Sequence, residues 1–156
     1  MVATAVMFGK ATDEWATPQL FFDALDLEFR FGLDAAATED NAKCTAFMDG
    51  DEDALREDWF DQVQKGWSVW LNPPYSRVRE FITKAALEAR KGATVVCLVP
   101  SRTDTRWWHS EVWDAEKHQP RPGVEIRFVK GRLKFGDGKN SAPFPSVVII
   151  FRPVRA

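Results

Sequence analysis

Cysteine and histidine are scarce in this 156-residue chain, which has two of each. Cys44 and Cys97 do not have metal-motif spacing, and neither His109 nor His118 pairs with a cysteine as a ligand set, so no metal site is expected. Cys97 lies inside the apolar run Val95-Val96-Cys97-Leu98-Val99 and reads as a core thiol. No apolar stretch approaches the roughly 18 residues a membrane span requires, so no membrane partner is expected. Met1 to Lys10 lacks a basic region followed by a long apolar stretch; no signal peptide is read, and a cytosolic protein is expected. Internal repeats and low-complexity segments are absent as well.

Length favours a single domain with a real core. Residues 1–12 read as a flexible N-terminus, and 13–156 as one folded unit. Whether that unit is a monomer or a homodimer stays open. The net charge of −2 hides a split: residues 1–76 carry 5 Lys/Arg against 15 Asp/Glu, and residues 77–156 carry 16 against 8. The halves cannot both face a polyanion. If nucleic acid binds, the second half supplies the phosphate contacts.

Periodicity predicts a helix opened by Thr17 as N-cap and Pro18 as first residue, running to about Leu27. A short strand, Phe29 to Leu33, ends at Asp34. Residues 35–44 read as a loop or short helix. Val69 to Leu71 is a strand. Val78 to Lys91 is an amphipathic helix with Val78, Phe81, Ile82, Ala85 and Ala89 on one side, stopped by Gly92. Thr94 to Val99 is a buried strand, and Thr105 to Trp113 reads as helical. Strands follow at Glu125 to Val129, Arg132 to Phe135 and Ser146 to Phe151. Strand–helix alternation through Val99 implies a mostly parallel α/β sheet flanked by helices, and the last segments imply an antiparallel C-terminal edge.

The sharpest feature is Asn72-Pro73-Pro74-Tyr75, directly after the strand-like Trp67 to Leu71. Two prolines stop the strand and stiffen the turn. The turn therefore presents a carboxamide, backbone carbonyls and an aromatic ring at the carboxyl end of a strand, the edge where open α/β sheets bind ligands. Such a turn suits a planar base carrying an amino group. The Asn72 oxygen and the Pro73 carbonyl can accept both amino hydrogens, and Tyr75 can stack on the ring. Accepting both hydrogens draws the nitrogen lone pair out of conjugation and aims it at an electrophile.

The residues after the other predicted strands would gather along the same edge. Asp34 can engage the ammonium of an amino-acid-like cofactor, and Ala35 and Ala36 are small enough for close approach. Asp58 can accept from an adenine amino group beside Trp59.

The turn resembles the Asn/Asp-Pro-Pro-Tyr motif of S-adenosylmethionine (AdoMet)-dependent amino-methyltransferases. Along nearly its whole length the chain resembles the phage-type DNA N-6-adenine-methyltransferases. The matching stretches are Asp13 to Gln19, Gly32 to Thr38 with Asn41-Ala42, Trp70 to Ser76, Leu98 to Thr105 through Trp107 to His109, and Gly131 to Phe135. The resemblance implies a compact Rossmann-like methyltransferase fold, AdoMet as cofactor and DNA as partner. It also implies a phage or prophage protein acting in a bacterial host cell. It adds Trp15, Thr17 and Pro18 as cofactor residues and gives Asp34 the place of the acid in the first cofactor loop. The broader class has a glycine-rich loop after its first strand, whereas this chain has Asp34-Ala35-Ala36-Ala37-Thr38. The ribose-binding acid is open among Asp49, Asp51, Glu52 and Asp53.

Adenine's amino group lies inside a duplex, so the base must flip out or the strand must already be open. Arg102, Arg106, Arg132 and Lys134 are candidates for phosphate contact or guanine readout. Trp107, Trp108 and Trp113 are divided between DNA contact and core, and His109 reads as a structural hydrogen-bonding residue. Two other readings remain: a module that binds AdoMet or DNA without catalysis, and a methyltransferase acting on RNA or on protein glutamine.

Overall fold

The computed structural model describes residues 15–49, 53–136 and 140–154. The first helix, α1 (Gln19–Phe29), begins one position later than a Thr17 cap would set it. Pro18 is the capping residue; its carbonyl accepts from the Phe22 N–H at 3.1 Å, and the Thr17 hydroxyl is engaged elsewhere. The helix continues to Phe29 because Phe22 and Phe29 are both anchored in the core. Arg30 then turns left-handed at φ 55°, and its N–H closes on the Asp26 carbonyl.

Five strands form one sheet in the order β1 (Phe31–Asp34), β2 (Ser68–Leu71), β3 (Val95–Pro100), β7 (Ser146–Phe151), β6 (Val124–Phe128). β1, β2 and β3 pair in parallel, while β7 runs antiparallel to both β3 and β6. The sheet is thus the mixed one expected, parallel at its start and antiparallel at its C-terminal edge. Parallel neighbours need a crossover. Between β2 and β3 it is α3 (Val78–Lys91); between β1 and β2 it is an irregular stretch with a four-residue helix, α2 (Asp53–Arg56).

Alternation along the strands builds two cores. Val69, Leu71, Val95, Cys97, Val99, Val147 and Ile149 meet the apolar stripe of α3 on one face. Phe31, Trp70, Val96, Leu98, Val148 and Ile150 meet Phe22 and Phe29 of α1 on the other. All five residues expected on the inner side of α3 are buried. Gly92 ends that helix at φ 126°, where a side chain would be strained and a Cβ would come within 3.0 Å of the Phe60 ring.

Glu88 also lies on the inner side of α3, fully covered. It accepts from the backbone N–H groups of Trp59 at 2.7 Å and Phe60 at 2.8 Å, and from Lys84 and Lys91. A carboxylate thus pins the 59–62 turn to the helix.

One expectation needs correction and another a refinement. Arg132 to Phe135 is not a strand. Its backbone bonds to neighbouring loops rather than to a sheet edge: Ala142 N–H donates to the Leu133 carbonyl at 2.8 Å, and Gly136 N–H to the Ala16 carbonyl at 3.0 Å. The segment 105–113 is helical over 106–112, as expected, but mostly as a π-helix, Trp108–Val112, a wider turn than an α-helix. It runs into a small hairpin, β4 (Trp113–Asp114) with β5 (Gln119–Pro120). Among the described residues no helix is long and apolar enough to cross a membrane. The expectation for residues 1–12 lies outside the described residues.

Candidate active site

The carboxyl ends of β1, β2 and β3 bring Asp34, the Asn72 turn and the 101–106 loop to one edge of the sheet. Pro73 is buried, and Pro74 passes into a single 3₁₀ turn, Tyr75–Arg77, which leads into α3. The turn is held from both ends, by a central strand and by a packed helix.

Asn72 is partly buried and polarised in its contacts. Its Nδ2 donates to the backbone carbonyl of Trp15 and to the Thr17 hydroxyl at 3.0 Å. Its Oδ1 is buried and has no hydrogen-bond partner. A buried acceptor without a donor is costly, on the order of 1–3 kcal/mol, and calls for an explanation. The Tyr75 hydroxyl is likewise buried without a partner, and burial pushes its pKa far above the ordinary phenol value.

Four aromatic rings close over this turn. Trp15 and Tyr75 lie nearly parallel, centroids 6.4 Å apart at 15°. Phe144 meets both edge-on at 5.1 and 5.4 Å, and Phe135 meets them at 5.5 and 6.4 Å. Sequence reasoning gave neither phenylalanine a role in the site. A signal was available for Phe144, an aromatic placed between Pro143 and Pro145 in an otherwise polar loop.

Asp34 is 2% exposed. Its carboxylate accepts from Lys43 N–H at 3.0 Å and Ala36 N–H at 3.3 Å, so it also shapes the loop that follows. Burial pushes its pKa up to about 6, and the two N–H groups only partly offset this. The carboxylate is therefore under-compensated, a state that a cationic ligand group relieves. Ala36 is partly open, whereas Ala35 is fully buried in the α3-side core and presents no surface to a ligand.

The structure does not bring Asp58 and Trp59 to this edge. They follow α2 rather than a strand, and Asp58 pairs with Lys91 at the last turn of α3, beside the amino ends of the strands. Trp59 is 0% exposed, with its indole N–H donated to the Ala54 carbonyl at 2.7 Å, so neither face of its ring is free to stack. An acid–aromatic pair in sequence looks alike at either edge of a sheet; only the chain path tells them apart. Asp49 and Asp53 are exposed on the connection after β1, and Asp51 and Glu52 lie outside the described residues.

Trp15 and Thr17 sit in the site itself, and Pro18 caps α1 behind them. Arg102 and Arg106 are exposed on the loop after β3, and Arg132 and Lys134 on the 130–136 segment. That segment alternates: Leu133 and Phe135 pack inward while Arg132 and Lys134 face solvent. The two loops are joined by Ser101 N–H donating to the Pro145 carbonyl at 2.9 Å. None of the four cations has a carboxylate partner among the described residues, whereas Lys91 and Arg127 of the same basic half are spent on Asp58 and Glu28. Trp107 and Trp108 are core residues, and His109 bonds to the Thr103 carbonyl at 2.9 Å, as a structural residue does.

The model of the family described as DNA N-6-adenine-methyltransferase (Dam) matches residues 6–156. A DNA N-6-adenine-methyltransferase of Escherichia phage T1 is 28% identical over 159 aligned residues, covering 92% of this chain and 64% of that protein. Another, from Haemophilus phage HP1, is 28% identical over 144 residues, covering 90% of this chain and 79% of that protein. The chain thus spans just under two thirds of the phage T1 relative's length. No solved structure matches it.

Proposed function

Because the chain belongs to the DNA N-6-adenine-methyltransferase (Dam) family, we propose that it transfers a methyl group from AdoMet to the exocyclic 6-amino group of adenine in DNA. The single observation that carries this reading is the buried, unpartnered Oδ1 of Asn72 in a proline-stiffened turn. That oxygen and the Pro73 carbonyl accept the two amino hydrogens of a flipped adenine, while Tyr75 and its aromatic neighbours enclose the ring. Bound AdoMet supplies an electrophilic methyl on its sulfonium sulfur. The chain's part is alignment: the turn holds the amino nitrogen with its lone pair directed at that methyl, in water-excluded surroundings. The Asn72 carboxamide is too weak a base to take the amino proton before attack, so its part is to accept a hydrogen bond and orient the nitrogen.

The residues present fit an amino-acid-bearing cofactor. Asp34 is a buried carboxylate short of positive charge, at the end of the first strand and beside the partly open Ala36. We assign it the cofactor ammonium. Arg102, Arg106, Arg132 and Lys134 are assigned to the DNA backbone, as cations left unpaired around the aromatic cluster.

The test is methyl transfer from labelled AdoMet to DNA of varied sequence, with the modified base identified. Label on N6 of adenine is the expected result. Label found only on RNA or on protein, or AdoMet bound with no transfer to any acceptor, would reject the proposal.

A further inference from the structure

A carboxamide offers an acceptor on one side and a donor on the other, and only one orientation is useful to an amino-bearing base. In Asn72 that orientation is chosen by the segment just ahead of α1. The Trp15 backbone carbonyl is an acceptor and nothing else, so it takes the NH₂ side and repels the oxygen side. The second amide proton goes to the Thr17 hydroxyl at 3.0 Å, and Thr17 is only 5% exposed. The Trp15 carbonyl is itself fixed, because its ring is packed among Tyr75, Phe135 and Phe144 and the next carbonyl, Ala16, accepts from Gly136.

We propose that Trp15 and Thr17 are positioning residues that orient the Asn72 carboxamide, and that the Trp15 carbonyl makes asparagine, not aspartate, the residue this site requires. This rests on the proposed adenine-methylating role of Asn72 and deepens it. An ionised carboxylate at position 72 would set an oxygen against the Trp15 carbonyl with no proton between them. A protonated one would restore the pattern, donating to the carbonyl and leaving its other oxygen to accept. Among the described residues, the titratable and charged groups on neighbouring elements are Asp34 at the end of β1, Tyr75 on the same turn, and Arg132 and Lys134 on the segment whose Gly136 bonds to Ala16. Arg102 and Arg106 follow β3 on an exposed loop. Asp34, when ionised, disfavours a second negative charge nearby and so acts in the same direction as the carbonyl.

The decisive experiment compares kcat of Asn72→Asp with that of the unchanged chain from pH 8.5 to 5.5, with AdoMet and DNA saturating at every pH. The ratio of the two is expected to be small at high pH and to rise about tenfold per unit as the pH falls, until the introduced carboxyl is protonated. A pH-independent ratio overturns the proposal, whether the variant is as active as the parent or inactive throughout. Thr17→Val, which keeps the shape and removes the hydroxyl, is expected to lower kcat about fivefold to tenfold with AdoMet affinity unchanged, and Thr17→Ser to restore it. Loss of AdoMet affinity with normal kcat would instead give Thr17 to the cofactor. Asn72→Ala is the control that separates the two levels. If it keeps normal turnover, the proposed active site is wrong; if it is inactive while Asn72→Asp is insensitive to pH, only the orienting role fails.

Discussion

The Thr17 hydroxyl, which the sequence offers as a helix cap, instead accepts a hydrogen bond from the Nδ2 of Asn72, 55 residues along the chain. The consequence is an amide anchored by its nitrogen with its oxygen free. A cap interaction typically contributes about 1 kcal/mol, and α1 does without it, its ends held by the core packing of Phe22 and Phe29.

Asn72→Ala is expected to reduce single-turnover methylation by at least about 100-fold, the cost of one positioned polar partner in a transition state. AdoMet affinity measured by calorimetry should stay within a few-fold. Near-normal turnover would place the chemistry elsewhere.

AdoMet binding should depend on pH through Asp34. Its folded pKa is raised to about 6 from an ordinary 3.8. A raised pKa means its contribution to stability is fully present below 3.8 and is lost as the pH rises through about 6. An ammonium partner needs the ionised carboxylate, so affinity should increase about tenfold per unit on approach to pH 6 and level off above it. Asp34→Asn should bind AdoMet more weakly and lose this dependence. A parent protein whose affinity is flat from pH 5 to 8 would remove Asp34 from the cofactor site.

Tyr75 carries a buried hydroxyl with no partner. Tyr75→Phe is expected to raise the melting temperature, as removal of an unsatisfied group worth roughly 1 kcal/mol does, with turnover kept within a few-fold. Tyr75→Ala should lose stacking worth about 1–3 kcal/mol and lower kcat/KM for DNA accordingly. If the two variants behave alike in kcat/KM, the ring does not contact the base.

Arg132→Ala combined with Lys134→Ala should weaken DNA binding. The slope of log affinity against log salt should fall by about one unit for each phosphate that is no longer neutralised. AdoMet affinity should not change. An unaltered slope would shift the DNA path to Arg102 and Arg106 on the adjoining loop.

Glu88 tests the scaffold rather than the site. Burial pushes its pKa up, but its bonds to Lys91, Phe60, Lys84 and Trp59 together outweigh this and hold it below the ordinary 4.5. The stability it contributes is therefore present above pH 4.5 and lost as the pH falls through its lowered folded value. Glu88→Ala should cost about 3 kcal/mol in denaturant unfolding at pH 7, since it strands two backbone N–H groups and removes the carboxylate paired with Lys84 and Lys91. The gap between variant and parent should narrow in acid; a gap that is constant with pH would mean that the charge contributes nothing.

The sequence by itself determined whatever is local in period or in covalent constraint. The buried stripe of α3 could be read from Val78, Phe81, Ile82, Ala85 and Ala89, and the stop from Gly92. The end of β2 and the stiff turn after it could be read from Pro73 and Pro74, because proline limits its own backbone and that of the residue before it wherever it sits. The family could be read from several ordered stretches at once. Tertiary structure alone decided which edge of the sheet each residue reaches and which partner each polar atom finds. Asp58 and Trp59 went to the far edge, bound to Lys91 and Ala54, because the chain between β1 and β2 descends before the next strand begins. Thr17 turned from cap to partner of Asn72, and Phe135 and Phe144 joined Trp15 and Tyr75 from the far end of the chain. A hydrogen bond or a ring contact depends on distances of a few ångströms between segments far apart in sequence, and no propensity or period along one segment encodes that.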